Sequence, residues 1–99
     1  MNDLVPDTAA PVVTILSESA VEVTFGDTVD LKTHRKVMAF QDYLLAQPFP
    51  GLVAVVPAYA SVTVVFDPLE VYAAMRPVQS DFRSFSPARA VLDLLDKIL

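Results

Sequence analysis

The feature that most constrains the fold is a helical pattern lying between two pairs of strand-like runs. From Leu31 to Ala46, apolar residues recur at spacings of three, four and seven, as in an amphipathic helix. Asp30 precedes this run as a candidate N-cap. Pro48 and Pro50 follow it, and proline ends a helix because it lacks an N–H and clashes with the preceding turn. The sequence therefore predicts a helix over residues 31–46.

Two strand-like runs precede this helix and two follow it. They are rich in β-branched and apolar residues and cover 12–16, 20–25, 52–56 and 62–66. In the second run Val21, Val23 and Phe25 alternate with polar residues, which is typical of a half-buried strand. Gly26 and Asp27 predict a turn after it. Residues 57–61 are predicted to join the last two strands as a hairpin loop.

The remaining segments complete the predicted architecture. Residues 1–11 show no period and are predicted to be a flexible leader, so residues 12–99 form one domain. Residues 69–75 carry a short helical pattern, 79–86 are predicted as a loop, and Ser86-Pro87 predicts the start of a final helix that runs to Leu99. The predicted fold is α+β, a two-layer β-β-α-β-β-α sandwich with two helices on one face of a four-stranded antiparallel or mixed sheet.

The sheet is predicted to be apolar on both faces near its last two strands. If Val62, Val64 and Phe66 face the helices, Val65 faces away. The run 52–56 is apolar on both faces in either register. Such a sheet is usually covered on both sides, which favours another chain or domain on the second face. The alternative is that small apolar residues are tolerated singly on the surface, or that a terminus folds across them.

Composition argues against several functional classes. The net charge is −5, with 7 Lys and Arg against 12 Asp and Glu, so binding to a phosphate backbone is not expected. Without cysteine there is no disulfide, thiol nucleophile or cysteine metal site. No apolar run approaches the roughly 20 residues of a membrane span, and the acidic start is unlike a signal peptide. We expect a cytoplasmic domain that binds neither membrane nor nucleic acid.

Side chains that could carry chemistry are few. His34, the single histidine, borders the buried stripe of the predicted helix, and a structural role is favoured over catalysis or metal binding. The carboxylate pairs have ordinary explanations in solvation, turns and caps; they are Glu18/Glu22, Asp27/Asp30 and Asp93/Asp96. A basic cluster on the helix is interpreted as a solvated face, with an acidic partner as the alternative; it comprises Lys32, Arg35 and Lys36. No catalytic, metal-binding or cofactor-binding residue is predicted.

One stretch of the chain resembles a family signature. Residues 49–69 read Phe-Pro-Gly-Leu-Val-Ala-Val-Val-Pro-Ala-Tyr-Ala-Ser-Val-Thr-Val-Val-Phe-Asp-Pro-Leu. This resembles the Val-Pro-Ala-Tyr-x-Ser to Asp-Pro signature in the N-terminal domain of the KipI family, whose members are also called allophanate hydrolase subunit 1 or the B subunit of 5-oxoprolinase. Residues 20–27 resemble the family's strand ending in Glu-Phe-Gly-Asp, and the resemblance covers about residues 12–99. Ser17-Glu18 replaces a family Gly-Asp, and residues 76–86 are longer than usual.

The resemblance implies a function in an assembly. It implies an N-terminal α/β domain followed in the family by a C-terminal cyclophilin-like domain, which is absent here, so an excised domain or a truncated member is expected. Members are subunits of ATP-dependent 5-oxoprolinase or are named for allophanate hydrolysis, and KipI inhibits a sporulation histidine kinase. The implied partners are a sister subunit of the KipA type (the C subunit of 5-oxoprolinase), the C-terminal domain, or a kinase. ATP is implied for the assembled complex only.

Three functional hypotheses follow from these observations. The first is a non-catalytic assembly or regulatory domain of the hydrolase complex, and the second is a regulator that binds a sensor histidine kinase. The third is a small domain that forms a two-fold homodimer through the apolar face of its sheet. Sheet residues and the signature loop supply the candidate interface. The candidate interface residues are Val53, Val55, Pro57, Ala58, Tyr59, Ser61 and Val65.

Overall fold

The computed structural model describes residues 11–26, 30–75 and 85–99. Its elements, in chain order, are β1 (Val12–Ser17), β2 (Ala20–Thr24), α1 (Leu31–Ala46), β3 (Leu52–Pro57), β4 (Ser61–Phe66), α2 (Pro68–Met75) and α3 (Pro87–Ile98). The strands form one sheet in the order β1-β2-β4-β3, and every neighbouring pair is antiparallel. The predicted α+β two-layer fold is confirmed, and the sheet is antiparallel throughout.

The helices lie on one face of the sheet and bury its apolar residues. Helix α1 contacts β3 and β4, α3 contacts β1 and β2, and α2 packs against α3. The buried core joins the inward residues of the two central strands to one stripe from each helix. Its members are Val21, Val23, Val37, Phe40, Leu44, Phe49, Val62, Val64, Phe66, Val71, Ala88, Val91 and Leu95.

The two predicted helix starts are confirmed by their caps. The Asp30 carboxylate accepts a hydrogen bond of 2.7 Å from the Thr33 N–H at the start of α1. The Ser86 hydroxyl accepts one of 3.2 Å from the Arg89 N–H at the start of α3, with Pro87 in the first turn. Each cap satisfies a backbone donor that has no partner within the helix, which fixes where the helix begins.

A third helix distinguishes the structure from the two-helix sandwich that the sequence predicts. The short pattern over residues 69–75 forms α2, which begins at Pro68. Asp67 starts it, because its Oδ1 accepts hydrogen bonds from the Leu69 N–H at 2.9 Å and the Glu70 N–H at 3.4 Å. The fully buried Val71 then holds this helix on the core.

Some predictions concern segments that the structure leaves undescribed. Three predicted features lie wholly or partly outside the described ranges: residues 1–10 of the predicted leader over 1–11, Asp27 of the predicted turn, and residues 79–84 of the predicted loop. None of the helices in the described ranges is long and apolar enough to cross a bilayer.

Candidate functional site

The face of the sheet that points away from the helices is the first candidate surface, and we call it the outer face. Val65 lies on it between Ala20 of β2 and Ala54 of β3 in the strand register, which makes one apolar row. The neighbouring Val64 is fully buried under the helices. The prediction that Val64 points inward and Val65 points away is therefore confirmed.

The other rows of the outer face are more polar. Glu22 of β2 stands opposite Thr63 of β4, and Thr63 stands opposite the exposed Val56 of β3. Thr24 pairs with Ser61 in the next row. No helix or strand within the described ranges lies over this face. It presents short side chains, one carboxylate and one apolar row, so a flat partner can approach closely.

The tip of the β3–β4 hairpin is the second candidate surface, and it is held by three contacts. The Ala58 N–H donates to the Ser61 carbonyl at 2.7 Å, which closes the turn. The Phe25 N–H at the end of β2 donates to the Ala60 carbonyl at 2.9 Å. His34 Nδ1 of α1 lies 3.4 Å from the Tyr59 carbonyl oxygen. The tip is thus fixed to both layers of the sandwich while Pro57, Ala58 and Tyr59 stay exposed.

The two aromatic rings at this tip stack against each other. The His34 and Tyr59 ring centroids are 4.8 Å apart and the ring planes are inclined by 34°. Tyr59 remains 45% exposed, so its outward side is available to a partner. Sequence reasoning placed His34 beside the buried stripe but missed this contact, because nothing local links two residues separated by 25 positions.

The seven predicted interface residues do not form a single surface. Val55 stands opposite Val64 in the register and packs against the core from the helix side. Val53 lies at a β-bulge near the start of β3 and is 63% exposed. Val65 belongs to the outer face, whereas Pro57, Ala58, Tyr59 and Ser61 belong to the hairpin tip or its base. The structure therefore divides the predicted interface among separate places.

The charged side chains singled out from the sequence have local partners or lie in solvent. Asp93 pairs with Arg89 at 3.5 Å on the exposed side of α3, and Asp96 is also exposed. Glu22 lies on the outer face, and Arg35 is exposed on α1. Within the described ranges, no three histidine, aspartate or glutamate side chains are grouped closely enough to hold a metal ion.

The family-like stretch also contains a clasp between the start of β3 and the start of α2. The Asp67 N–H donates to the Gly51 carbonyl at 2.8 Å. Gly51 has a φ of 95°, and a Cβ built there would lie 2.8 Å from Val71 Cγ2. Glycine is required because the backbone is left-handed and α2 leaves no room for a side chain. This end of the stretch holds the fold together, while the hairpin tip and outer face remain open to partners.

Comparison with known proteins agrees with these features. Residues 11–92 match the family described as "Carboxyltransferase domain, subdomain C and D". The B subunit of 5-oxoprolinase from Bacillus subtilis (strain 168) is 36% identical over 70 residues, which cover 70% of this chain and 29% of that protein. The chain thus spans less than a third of the length of that curated relative.

Two solved structures share the fold. The N-terminal domain of the histidine kinase inhibitor KipI from Bacillus subtilis matches with a TM-score of 0.58 and 28% identity over 90% of both chains. A conserved uncharacterized protein from Pyrococcus horikoshii matches with a TM-score of 0.58 and 20% identity, over 88% of this chain and 36% of that one, which shows the fold alone. The chain belongs to the carboxyltransferase subdomain C and D family, the family of KipI and of the 5-oxoprolinase B subunit.

Proposed function

We propose that this chain is a non-catalytic assembly domain of a KipI-family protein. In this proposal it binds a sister subunit of the KipA type within an ATP-dependent 5-oxoprolinase or allophanate-hydrolase-type complex. Its likeness to the B subunit of 5-oxoprolinase supports the type of complex. ATP belongs to the assembled complex in this proposal, and this domain contributes a binding surface.

The outer face is the observation that carries the proposal. Val65 lies in an apolar row between two alanines, on a face that no described helix covers. Short side chains on either side of Val65 let the partner's atoms reach it and exclude water. Burial of apolar surface is the main favourable contribution to most protein association. The polar rows beside it supply hydrogen-bonding groups at the rim.

The test is a binding titration between the purified domain and the KipA-type subunit of the same organism, monitored by calorimetry. We expect the Val65→Glu variant to bind at least about 100-fold more weakly, because a partner covering that row would desolvate an unpaired carboxylate. Leu69→Glu is the matched control, since Leu69 is 63% exposed at the start of α2, away from the sheet. That control should bind like the wild type. No binding by the wild-type domain, or equal binding by Val65→Glu, would refute the proposal.

The same titration, repeated with the full-length protein, separates the sister subunit from the family's C-terminal domain as the occupant of the outer face. If the C-terminal domain covers Val65, then Val65→Glu should lower the stability of the full-length protein and leave its affinity for the sister subunit unchanged. That outcome would refute the sister subunit as the occupant.

A second function is favoured by one specific observation. The match to the N-terminal domain of a histidine kinase inhibitor covers 90% of both chains, so the two domains correspond over nearly their whole length. Inhibition of a sensor histidine kinase by this domain is therefore the second candidate. A kinase autophosphorylation assay with increasing amounts of the domain tests it, and unchanged phosphorylation at saturation would exclude it.

A further inference from the structure

The two edges of the sheet differ in whether another strand can form hydrogen bonds with them. β3 forms one edge and β1 forms the other within the described ranges. An edge strand exposes unpaired N–H and C=O groups that can pair with another strand unless something obstructs them.

The β3 edge is obstructed at two places. The Ala58 N–H bonds to the Ser61 carbonyl, so these residues form a hydrogen-bonded pair of the hairpin. Hydrogen-bonded and non-hydrogen-bonded pairs alternate along antiparallel strands, so Pro57 and Val55 turn their backbone groups outward. Pro57 has no N–H to offer there, and the bulge at Val53 breaks the regular spacing further along.

β1 itself contains neither a proline nor a charged side chain, and the nearest proline, Pro11, lies just before its first residue. Its sequence, Val-Val-Thr-Ile-Leu-Ser, has high β propensity, and its bulge lies only at the far end, between Ile15 and Ser17. Val12, Ile15 and Leu16 are 59%, 41% and 52% exposed. A strand with unpaired backbone groups and exposed apolar side chains is suited to pairing with another strand.

We propose that β1 pairs antiparallel with β1 of a second copy of this chain, about a two-fold axis that passes by Thr14. In this register Val13 of one copy lies opposite Ile15 of the other, and both belong to the side that the helices cover, since their partners Val23 and Val21 are buried there. Thr14 then lies opposite its own copy on the outer face, and threonine pairs are favourable across antiparallel strands. The two sheets join into one.

The absence of charge in β1 is what favours a second copy as the occupant. An isologous interface places the residue at its two-fold axis opposite its own symmetry mate, so a charge there would meet a like charge. Among the residues that the structure describes, the carboxylate nearest to this axis is that of Glu22, which pairs with Thr14 on the adjacent strand. The two Glu22 side chains would be separated by three strand spacings, about 14 Å, which exceeds the Debye length of about 8 Å in physiological salt.

This dimer is independent of the proposed function. It uses one edge of the sheet and leaves the outer face and the β3–β4 hairpin tip of each copy open. Each copy carries a net charge of −5, so the copies repel each other at long range in dilute buffer. Self-association should therefore strengthen as salt is added.

The experiment measures the molar mass of the domain by sedimentation equilibrium over a range of protein and salt concentrations. We expect the wild type to form dimers. Thr14→Lys and Thr14→Glu should each weaken self-association by about tenfold or more, because like charges would stand opposite each other at the axis. An equimolar mixture of the two variants should recover dimers, since opposite charges then meet. Val53→Lys, on the exposed part of the other edge, is the matched control and should dimerise normally.

The mixture guards against a trivial loss of folding, because misfolded variants would not restore each other. A wild-type chain that stays monomeric at every concentration and salt would overturn the proposal. So would Thr14→Lys and Thr14→Glu variants that dimerise as well as the wild type, or a Val53→Lys variant that alone loses the dimer.

Discussion

Replacing Gly51 by alanine tests how tightly α2 is clasped to the start of β3. Gly51 has a φ of 95°, a region that costs an L-residue about 1–2 kcal/mol. The new Cβ would lie 2.8 Å from Val71 Cγ2 and 3.2 Å from the Asp67 carbonyl oxygen. Overpacking of this kind costs about 1–3 kcal/mol. Alanine offsets about 0.4–1 kcal/mol of the total loss, because it reduces the conformational entropy of the unfolded chain. The net expected loss is about 3 kcal/mol.

The other glycine of the chain supplies a matched control. Gly26 does not have a positive φ, and a Cβ built there would lie 3.3 Å from the Thr33 hydroxyl oxygen. That neighbour is the end of a side chain and can shift by a few tenths of an ångström. Gly26→Ala should therefore change the free energy of unfolding by less than about 1 kcal/mol.

The assay is urea unfolding followed by far-ultraviolet circular dichroism, since the chain has no tryptophan. With a urea m value of about 1.3 kcal/mol per molar, the Gly51→Ala midpoint should fall by about 2 M relative to the wild type. The double variant Gly51→Ala/Val71→Ala should lose less than the sum of the two single losses, because the side-chain overlap disappears. Equal midpoints for Gly51→Ala and Gly26→Ala would refute the assignment of strain to this clasp.

Three further substitutions test the faces and the caps. Val64→Glu should unfold the domain, because an unpaired buried charge costs several kcal/mol and the total stability of a domain is only about 5–15 kcal/mol. Val65→Glu should keep the native circular dichroism spectrum. Similar behaviour of both variants would contradict the face assignment. Asp30→Ala should lower the free energy of unfolding by about 1 kcal/mol, because it removes the cap of α1. The same urea titration measures this loss, and an unchanged midpoint would show that the hydrogen bond between Asp30 and Thr33 does not stabilise the domain.

The parts of the fold that follow from local patterns were predictable. Helix α1 has both a cap and a stop in its sequence, and its observed bounds are those predicted. The central position of β4 in the sheet is known only from the structure. The alternation of Val62, Val64 and Phe66 predicts that one face of β4 is buried, but it does not indicate which strands lie on either side. Strand order depends on which long-range pairings bury the most apolar surface, and a periodicity does not contain that information.

The candidate surfaces were predictable only in part, for the same reason. The alternation along β4 was enough to separate Val64 from Val65. It was not enough to place Val53 and Val55, because the bulge between Leu52 and Ala54 shifts the register of β3 and a run of apolar residues does not reveal it. The stacking of His34 on Tyr59 also depends on tertiary structure, since it joins a residue of α1 to one of the β3–β4 hairpin, 25 positions away in the chain.

The structure separates two roles within the stretch that resembles the family. Gly51 and Asp67 both belong to the clasp: Gly51 leaves room for α2, and Asp67 caps the start of that helix. A match to the family at these two positions therefore indicates a shared fold. Tyr59 and Val65 lie where a partner can reach them, and the folded core does not require their identity. A difference in function between two members of this family should therefore be sought at the hairpin tip and the outer face, because changes at the clasp would alter stability before they altered binding.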